Sequence, residues 1–183
     1  AGCGGCDLQH VAPAAQPVLK RAVVVDALRR IGRVTDPVVE SGPALPATSF
    51  RTTVRAAVVD GRAGFRRAAS HDVVPVEQCL VAHPLVEDLL VHGRFDGCDE
   101  VTVRVGAATG DRLVVAAPRA DDVELPTGDP VRVVGTDELD AGTRAWIHEL
   151  VEGQRFRVSA RSFFQTRPDG AAALAAAVRL LVA

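Results

Sequence analysis

The apolar positions of this chain change their period at residue 50. Before it, "QPVLKRAVVVDALRRIG" repeats hydrophobic residues at helical spacing. Val24, Ala27, Leu28 and Ile31 fall on one stripe, Pro17 suits a first turn, and Gly32 a C-terminal stop. The Pro-rich stretch "TDPVVESGPALPATS" reads as a linker. From Phe50 onward the period is that of strands. "FRTTVRAAVVDGRAGFRRAASHDVVPV" is broken at Asp60-Gly61 and Gly64, which predicts a hairpin ending near Val76. "HPLVEDLLVHG" predicts a short helix stopped by Gly93. "EVTVRVGAATGDRLVVAAP" predicts a second hairpin turning through Thr109, Gly110 and Asp111, and "AWIHELVEGQRFRVSA" a third turning at Gly153. These elements define an α+β domain built on a mostly antiparallel sheet with a few helices and no internal repeat.

The chain closes on "GAAALAAAVRLLVA", a helix or helix-strand pattern. Its apolar run of about 13 residues contains Arg179 and is too short to span a bilayer. No signal peptide pattern opens the chain, and no membrane partner is expected.

Composition sharpens this picture in three places. With 183 residues, 48% apolar and 24% charged, the chain is long and hydrophobic enough for a full core, which excludes a disordered class. A net charge of -2 supplies no overall attraction to nucleic acid or membrane, so any RNA contact must use a local basic face. One lysine, Lys20, stands against 20 arginines, so a lone arginine carries little meaning. Methionine is absent, and with cysteines at the first residues the chain is expected to be an internal piece of a longer protein.

Four cysteines without a secretory signal point to a reducing, cytoplasmic setting, where thiols bind metal or do chemistry more often than they form bridges. In "CGGC" the two intervening residues put Cys3 and Cys6 on one side of a tight loop, and the glycines leave N–H groups free to face a thiolate. Half a zinc knuckle fits this pair as well. Cys79, in "VEQCLVAHP", is the third candidate ligand, and Cys98, in the turn-like "FDGCDE", reads as a thiol beside a loop. The five histidines show no metal-ligand spacing. The first hairpin carries Arg51, Arg55, Arg62, Arg66 and Arg67 around Phe50 and Phe65. Arginines beside an aromatic suit single-stranded or looped RNA, and a solvated outer sheet face has the same appearance.

Three blocks in order, "CGGCDLQHVAPAAQPVLKRAVVVDALRRIG", "FRTTVRAAVVDGRAGFRRAASHDVVPVEQC" and "FRVSARSFFQTRPDGAAAL", resemble the S-adenosylmethionine-dependent RNA uracil-5-methyltransferases, in the iron-sulfur branch that makes 5-methyluridine in ribosomal RNA or tRNA. The resemblance implies a [4Fe-4S] cluster held by four cysteines, of which Cys3, Cys6 and Cys79 are three and the fourth lies upstream of this chain. It implies RNA contact by Arg51 and Arg66, and by Phe65 and Arg55 with them. It places Gln165 of "SFFQT" next to the methyl donor and the target uracil. Where the family has Asn two residues after that glutamine, Arg167 stands here, so Pro168 and Asp169 must serve the start of the following helix.

The implied organisation is a cluster-binding loop at 1–15, a helix at 16–37 that packs on the catalytic domain, a β-rich RNA-recognition domain at 38–160, and at 161–183 the first elements of a Rossmann-like methyltransferase domain. The family's nucleophilic cysteine after a "DPPR"-type segment, its proton-accepting glutamate and its glycine-rich donor loop have no counterpart in these residues, so the chain alone is expected to carry no catalytic residue. A reading from another class is a non-catalytic RNA-binding module that holds zinc or a cluster.

Overall fold

In the computed structural model, which describes residues 2–126 and 128–182, the chain divides into two compact units. One holds Cys6–Leu45. The other holds the opening residues through Gly5 and the chain from Pro46 onward.

The smaller unit is a 3-10 turn at Pro13–Ala15 running into helix α1, Gln16–Arg30. The Gln16 amide donates to the carbonyls of Leu8 and Val11, each at 3.2 Å, and ties the preceding loop to the helix start. Pro17 lies in the first turn as expected, and the Gly32 N–H closes on the Ala27 carbonyl. None of the helix's residues is buried.

The larger unit is built on six strands. β1 (Thr53–Val59) and β2 (Arg62–Arg66) form the first hairpin, closed by Asp60 and Gly61 with φ of 51° and 68°. Both turn residues are left-handed, which is the two-residue turn whose twist matches the strands. β3 (Val73–Pro75) pairs with β2, and α2 (Pro84–His92) follows. After the two-residue β4 (Arg94–Phe95) come β5 (Glu100–Val105) and β6 (Arg112–Ala117), the second hairpin. β7 (Val123–Glu124) pairs with β4; β8 (Arg132–Gly135) then joins the main sheet, and α3 (Thr136–Asp140) follows it. β9 (Trp146–Val151) and β10 (Gln154–Ser159) form a separate hairpin before α4, Pro168–Val182.

The sheet order is β3-β2-β1-β5-β6-β8, antiparallel throughout except for the parallel pair β6–β8. β6 shows how the two cores arise. Successive side chains of a strand point to opposite faces. Val114 and Ala116 join Val86, Leu89, Leu90 and Phe95 in one core, with α2 as its lid. Leu113 and Val115 join Val134, Ile147 and Val158 in the other, which the β9–β10 hairpin covers. A carboxylate holds that hairpin in place. Glu149, 1% exposed, accepts the N–H groups of Ala107 at 2.8 Å, Ala108 at 3.1 Å and Leu150 at 2.9 Å, so β9 caps the turn between β5 and β6.

Candidate functional site

The Cys-Gly-Gly-Cys loop has a seat on the basic hairpin. The Gly4 N–H donates to the Arg66 carbonyl at 3.0 Å. A Cβ at Gly4 would lie 2.6 Å from that oxygen and 2.7 Å from the Ala68 nitrogen, so only glycine admits this approach. Gly5 lies against the Phe65 ring, and its N–H donates to the Cys3 sulfur at 3.3 Å. That contact suits a thiolate, and a set of soft thiols suits an iron-sulfur centre. Cys79 is half-buried against the first core, and its N–H donates to the Glu87 carboxylate of α2 at 2.7 Å. Cys6 belongs to the other compact unit. Among the described residues no group of three or more His, Cys, Asp or Glu side chains is placed to hold a metal ion.

The hairpin's arginines differ in what they have free. Arg51 forms an isolated parallel bridge with Ala82, three residues beyond Cys79. Arg55 points outward from β1 and pairs with Glu100 of β5. Arg66 and Arg67 are exposed at the end of β2. Phe65 is half-buried and lies between the core and Gly5, so its ring supports the cysteine loop.

The segment that carries Gln165 is anchored at both ends. Arg104 is buried, with its charge disfavoured by burial, and donates to the Ser159 carbonyl at 2.8 Å. The Thr52 N–H donates to the Thr166 carbonyl at 2.8 Å. Between these ties Phe163 is exposed, while Phe164 joins the second core and meets Phe156 at 5.6 Å. Gln165 itself is exposed. Arg167 has a role of its own: its guanidinium stacks over Phe50 at 4.3 Å and pairs twice with Asp169, at 2.8 and 3.0 Å. The hydrogen bond from Arg167 holds the Asp169 carboxyl below its ordinary range, and that carboxylate accepts the Gly170 N–H at the start of α4.

Cys98 is buried, and burial together with Asp99, Asp122 and Asp96 pushes its thiol up, so it is held protonated and poorly nucleophilic. Pattern reading passed over a second basic cluster, in which Trp146 has Arg132 and Arg157 over its ring. The signal for it was present: the chain's single Trp follows Arg144, and "RFR" stands on the partner strand.

No protein-family model matches the chain. An uncharacterized RNA methyltransferase of Streptomyces avermitilis is 36% identical over 197 residues, which takes in 96% of this chain and 45% of the relative. One from Streptomyces coelicolor is 38% identical over 198 residues, with 96% and 43% covered. The 23S rRNA (uracil(1939)-C(5))-methyltransferase RlmD of Aeromonas salmonicida is 37% identical over 90 residues, 45% of this chain and 20% of that protein. The fold matches the crystal structure of Pyrococcus abyssi tRNA (uracil-54, C5)-methyltransferase in complex with S-adenosyl-L-homocysteine, with a TM-score of 0.64 at 20% identity over 99% of this chain and 51% of that one. The chain therefore shares its fold with about half of that structure. More particularly, its sequence is similar to proteins named RNA methyltransferases, and it spans less than half the length of the Streptomyces proteins it matches.

Proposed function

We propose that this chain is the RNA-recognition segment of an RNA (uracil-C5-)-methyltransferase acting on ribosomal RNA or tRNA in the cytoplasm. The observation that carries the proposal is the likeness over 96% of the chain to RNA methyltransferases, in a fold shared with a tRNA uracil-C5 enzyme. None of the described helices is long and apolar enough to cross a membrane.

In this reading Cys3, Cys6 and Cys79 donate three thiolates to a [4Fe-4S] cluster. Gly4 keeps the loop against β2, and Glu87 fixes the backbone of Cys79. Arg51 and Arg66 hold RNA phosphates, and Arg55 and Phe65 contact the RNA from the same hairpin. S-adenosylmethionine supplies the methyl group when bound. Gln165 orients donor and uracil from a segment that Arg104, Thr52 and Arg167 hold to the sheet.

The experiment is transfer of radiolabelled methyl from S-adenosylmethionine to uridine in RNA. The full-length protein transfers label, Gln165→Ala lowers the rate sharply, and the 183-residue chain alone transfers none. Protein purified without oxygen contains iron and sulfide, and loses them on Cys79→Ala. Zinc without iron, together with no methyl transfer, would favour a non-catalytic RNA-binding module instead.

A further inference from the structure

The outer face of the β9–β10 hairpin carries an arginine cluster that the reading above does not use. Trp146 opens β9, and the guanidinium carbons of Arg132 from β8 and Arg157 from β10 lie 5.2 and 5.3 Å from its ring centre. Beside them is a cleft of about 190 Å³ lined by Arg144, Arg157, Arg161, Trp146, Thr143 and Ser159 among others. Arg161 is matched by Asp140 at 2.7 Å. The Arg132 guanidinium donates to the Arg144 carbonyl, and Arg144 itself lines the cleft.

Among the described residues Arg132, Arg144 and Arg157 take part in no ion pair, whereas Arg112, Arg119 and Arg161 do. Arg112 pairs with Asp88 and Asp129, Arg119 with Asp137, and Arg161 with Asp140. Three exposed arginines therefore lie around Trp146 and its cleft without a carboxylate paired to them, a local surplus of positive charge that attracts an anion. Stacking on Trp146 holds two of them in place, so less rotamer freedom is lost when they close on a ligand. A guanidinium presents paired N–H donors that match phosphate oxygens two at a time. The cleft runs between the segment that leads into β9 and the end of β10, and three arginines line it.

We propose that Arg132, Arg144 and Arg157, ordered by Trp146, form a phosphate clamp for the sugar-phosphate backbone of the RNA. It is a second contact face, made by the β9–β10 hairpin and by β8, which β5 and β6 separate from β1 of the Arg51–Arg67 hairpin in the main sheet. The proposal rests on the reading that the parent protein works on RNA.

The test uses the full-length protein and a uridine-containing RNA hairpin transcript, with affinity measured against NaCl concentration. The double variant Arg132→Gln/Arg157→Gln binds on the order of tenfold more weakly at ~0.1 M salt. Its log–log salt slope is shallower by about one to two units, as expected for two lost phosphate contacts. Arg157→Lys keeps the point charge and loses the paired donors, so it keeps the slope and binds a few-fold more weakly.

If both variants, with unchanged melting temperatures, bind RNA with wild-type affinity and slope, the clamp is overturned. The proposal also falls if inorganic phosphate alone produces the fluorescence change assigned to Trp146, by difference from Trp146→Phe, while the RNA transcript does not: the cleft would then be a free-anion site. Methyl transfer separates the two readings. Transfer by the wild type with no effect of the variants sinks the clamp alone. RNA binding through the clamp without any transfer sinks the methyltransferase reading alone.

Discussion

Arg167 stacks on Phe50 at 4.3 Å while its two donors hold the Asp169 carboxylate, so one side chain joins the strand entry before β1 to the first turn of α4. The family to which the sequence is similar has an asparagine at this position, and an asparagine would cap the helix by itself. Here the capping passes to Asp169, which accepts the Gly170 N–H, and the hydrogen bond from Arg167 further lowers that carboxyl's proton affinity. Arg167→Ala removes the stack and leaves Asp169 unpaired. About 1–2 kcal/mol of stability is lost, the range of a helix cap together with an exposed cation–π contact. Arg167→Asn loses less than half of that, because the shorter side chain caps directly. Denaturant unfolding of the two variants beside the wild type checks the ranking, and equal losses would show that the stack on Phe50 alone matters.

Glu149 is a carboxylate that the fold cannot give up. It is buried and accepts three backbone N–H groups, two of them from the β5–β6 turn. Glu149→Ala leaves these donors without a partner, at a cost of about 3 kcal/mol or more. Glu149→Gln keeps one acceptor oxygen and costs roughly half as much. Hydrogen exchange at Ala107 and Ala108 rises by orders of magnitude in the alanine variant. Unchanged protection there would mean that the turn stands without β9.

The three hairpins and both long helices were legible in the sequence because each has a period and a punctuation mark. Asp60-Gly61 and Glu152-Gly153 supply the two positive-φ residues that a tight turn requires, and Pro17 and Gly32 bound α1. What escaped has neither. β4 and β7 are two residues each, β8 is four residues long, and α3 is a single short helix, so no periodic window registers them. The parallel placement of β8 beside β6 is a tertiary choice. It follows from the burial of Val134 with Leu113 and Val115 in the second core, and nothing local to "RVVG" encodes it.

At the site, the cysteines and Gln165 stood out by motif. The seat of Gly4 on Arg66 did not, since a close backbone approach between residues 62 apart leaves no trace in spacing. Phe65 shows the same limit from the other side. An aromatic among arginines reads as a stacking platform for a base, and nothing in that pattern announces that its ring also lies against Gly5.

The Gly4 seat makes a prediction about the cysteine loop. In Gly4→Ala the new methyl would meet the Arg66 carbonyl and the Ala68 nitrogen, both backbone atoms that cannot swing aside, so the loop lifts from β2. Gly42→Ala is the control, since a Cβ at Gly42 meets nothing within 4 Å. Protein purified without oxygen should hold much less iron in Gly4→Ala than in Gly42→Ala. It should also be cut faster by protease near the loop, a readout that needs no metal. Equal iron content and equal cleavage in the two variants would show that the loop does not depend on its contact with the hairpin.

The start of α2 carries a pH dependence whose sign follows from His83. Its Nδ1 accepts the N–H of Leu85 at 3.3 Å, which makes the neutral ring the N-cap of the helix. Burial lowers its pKa, and the Glu149 charge opposes that shift without reversing it. A protonated Nδ1 has no lone pair for Leu85, and a cation at a helix N-terminus also opposes the helix dipole. The folded state therefore binds the proton less readily than the unfolded chain, in which a histidine titrates near about 6.5. Stability from this residue is complete above that pH and is lost as the pH falls through it toward the lowered folded value. His83→Asn retains an N-cap acceptor and does not titrate, while the carboxylates common to both proteins cancel in the comparison. In denaturant titrations between about pH 8 and pH 5, the wild type should lose stability relative to His83→Asn, with the difference opening below about 6.5. Parallel curves over that range would mean that His83 keeps its ordinary proton affinity and that Leu85 finds another acceptor.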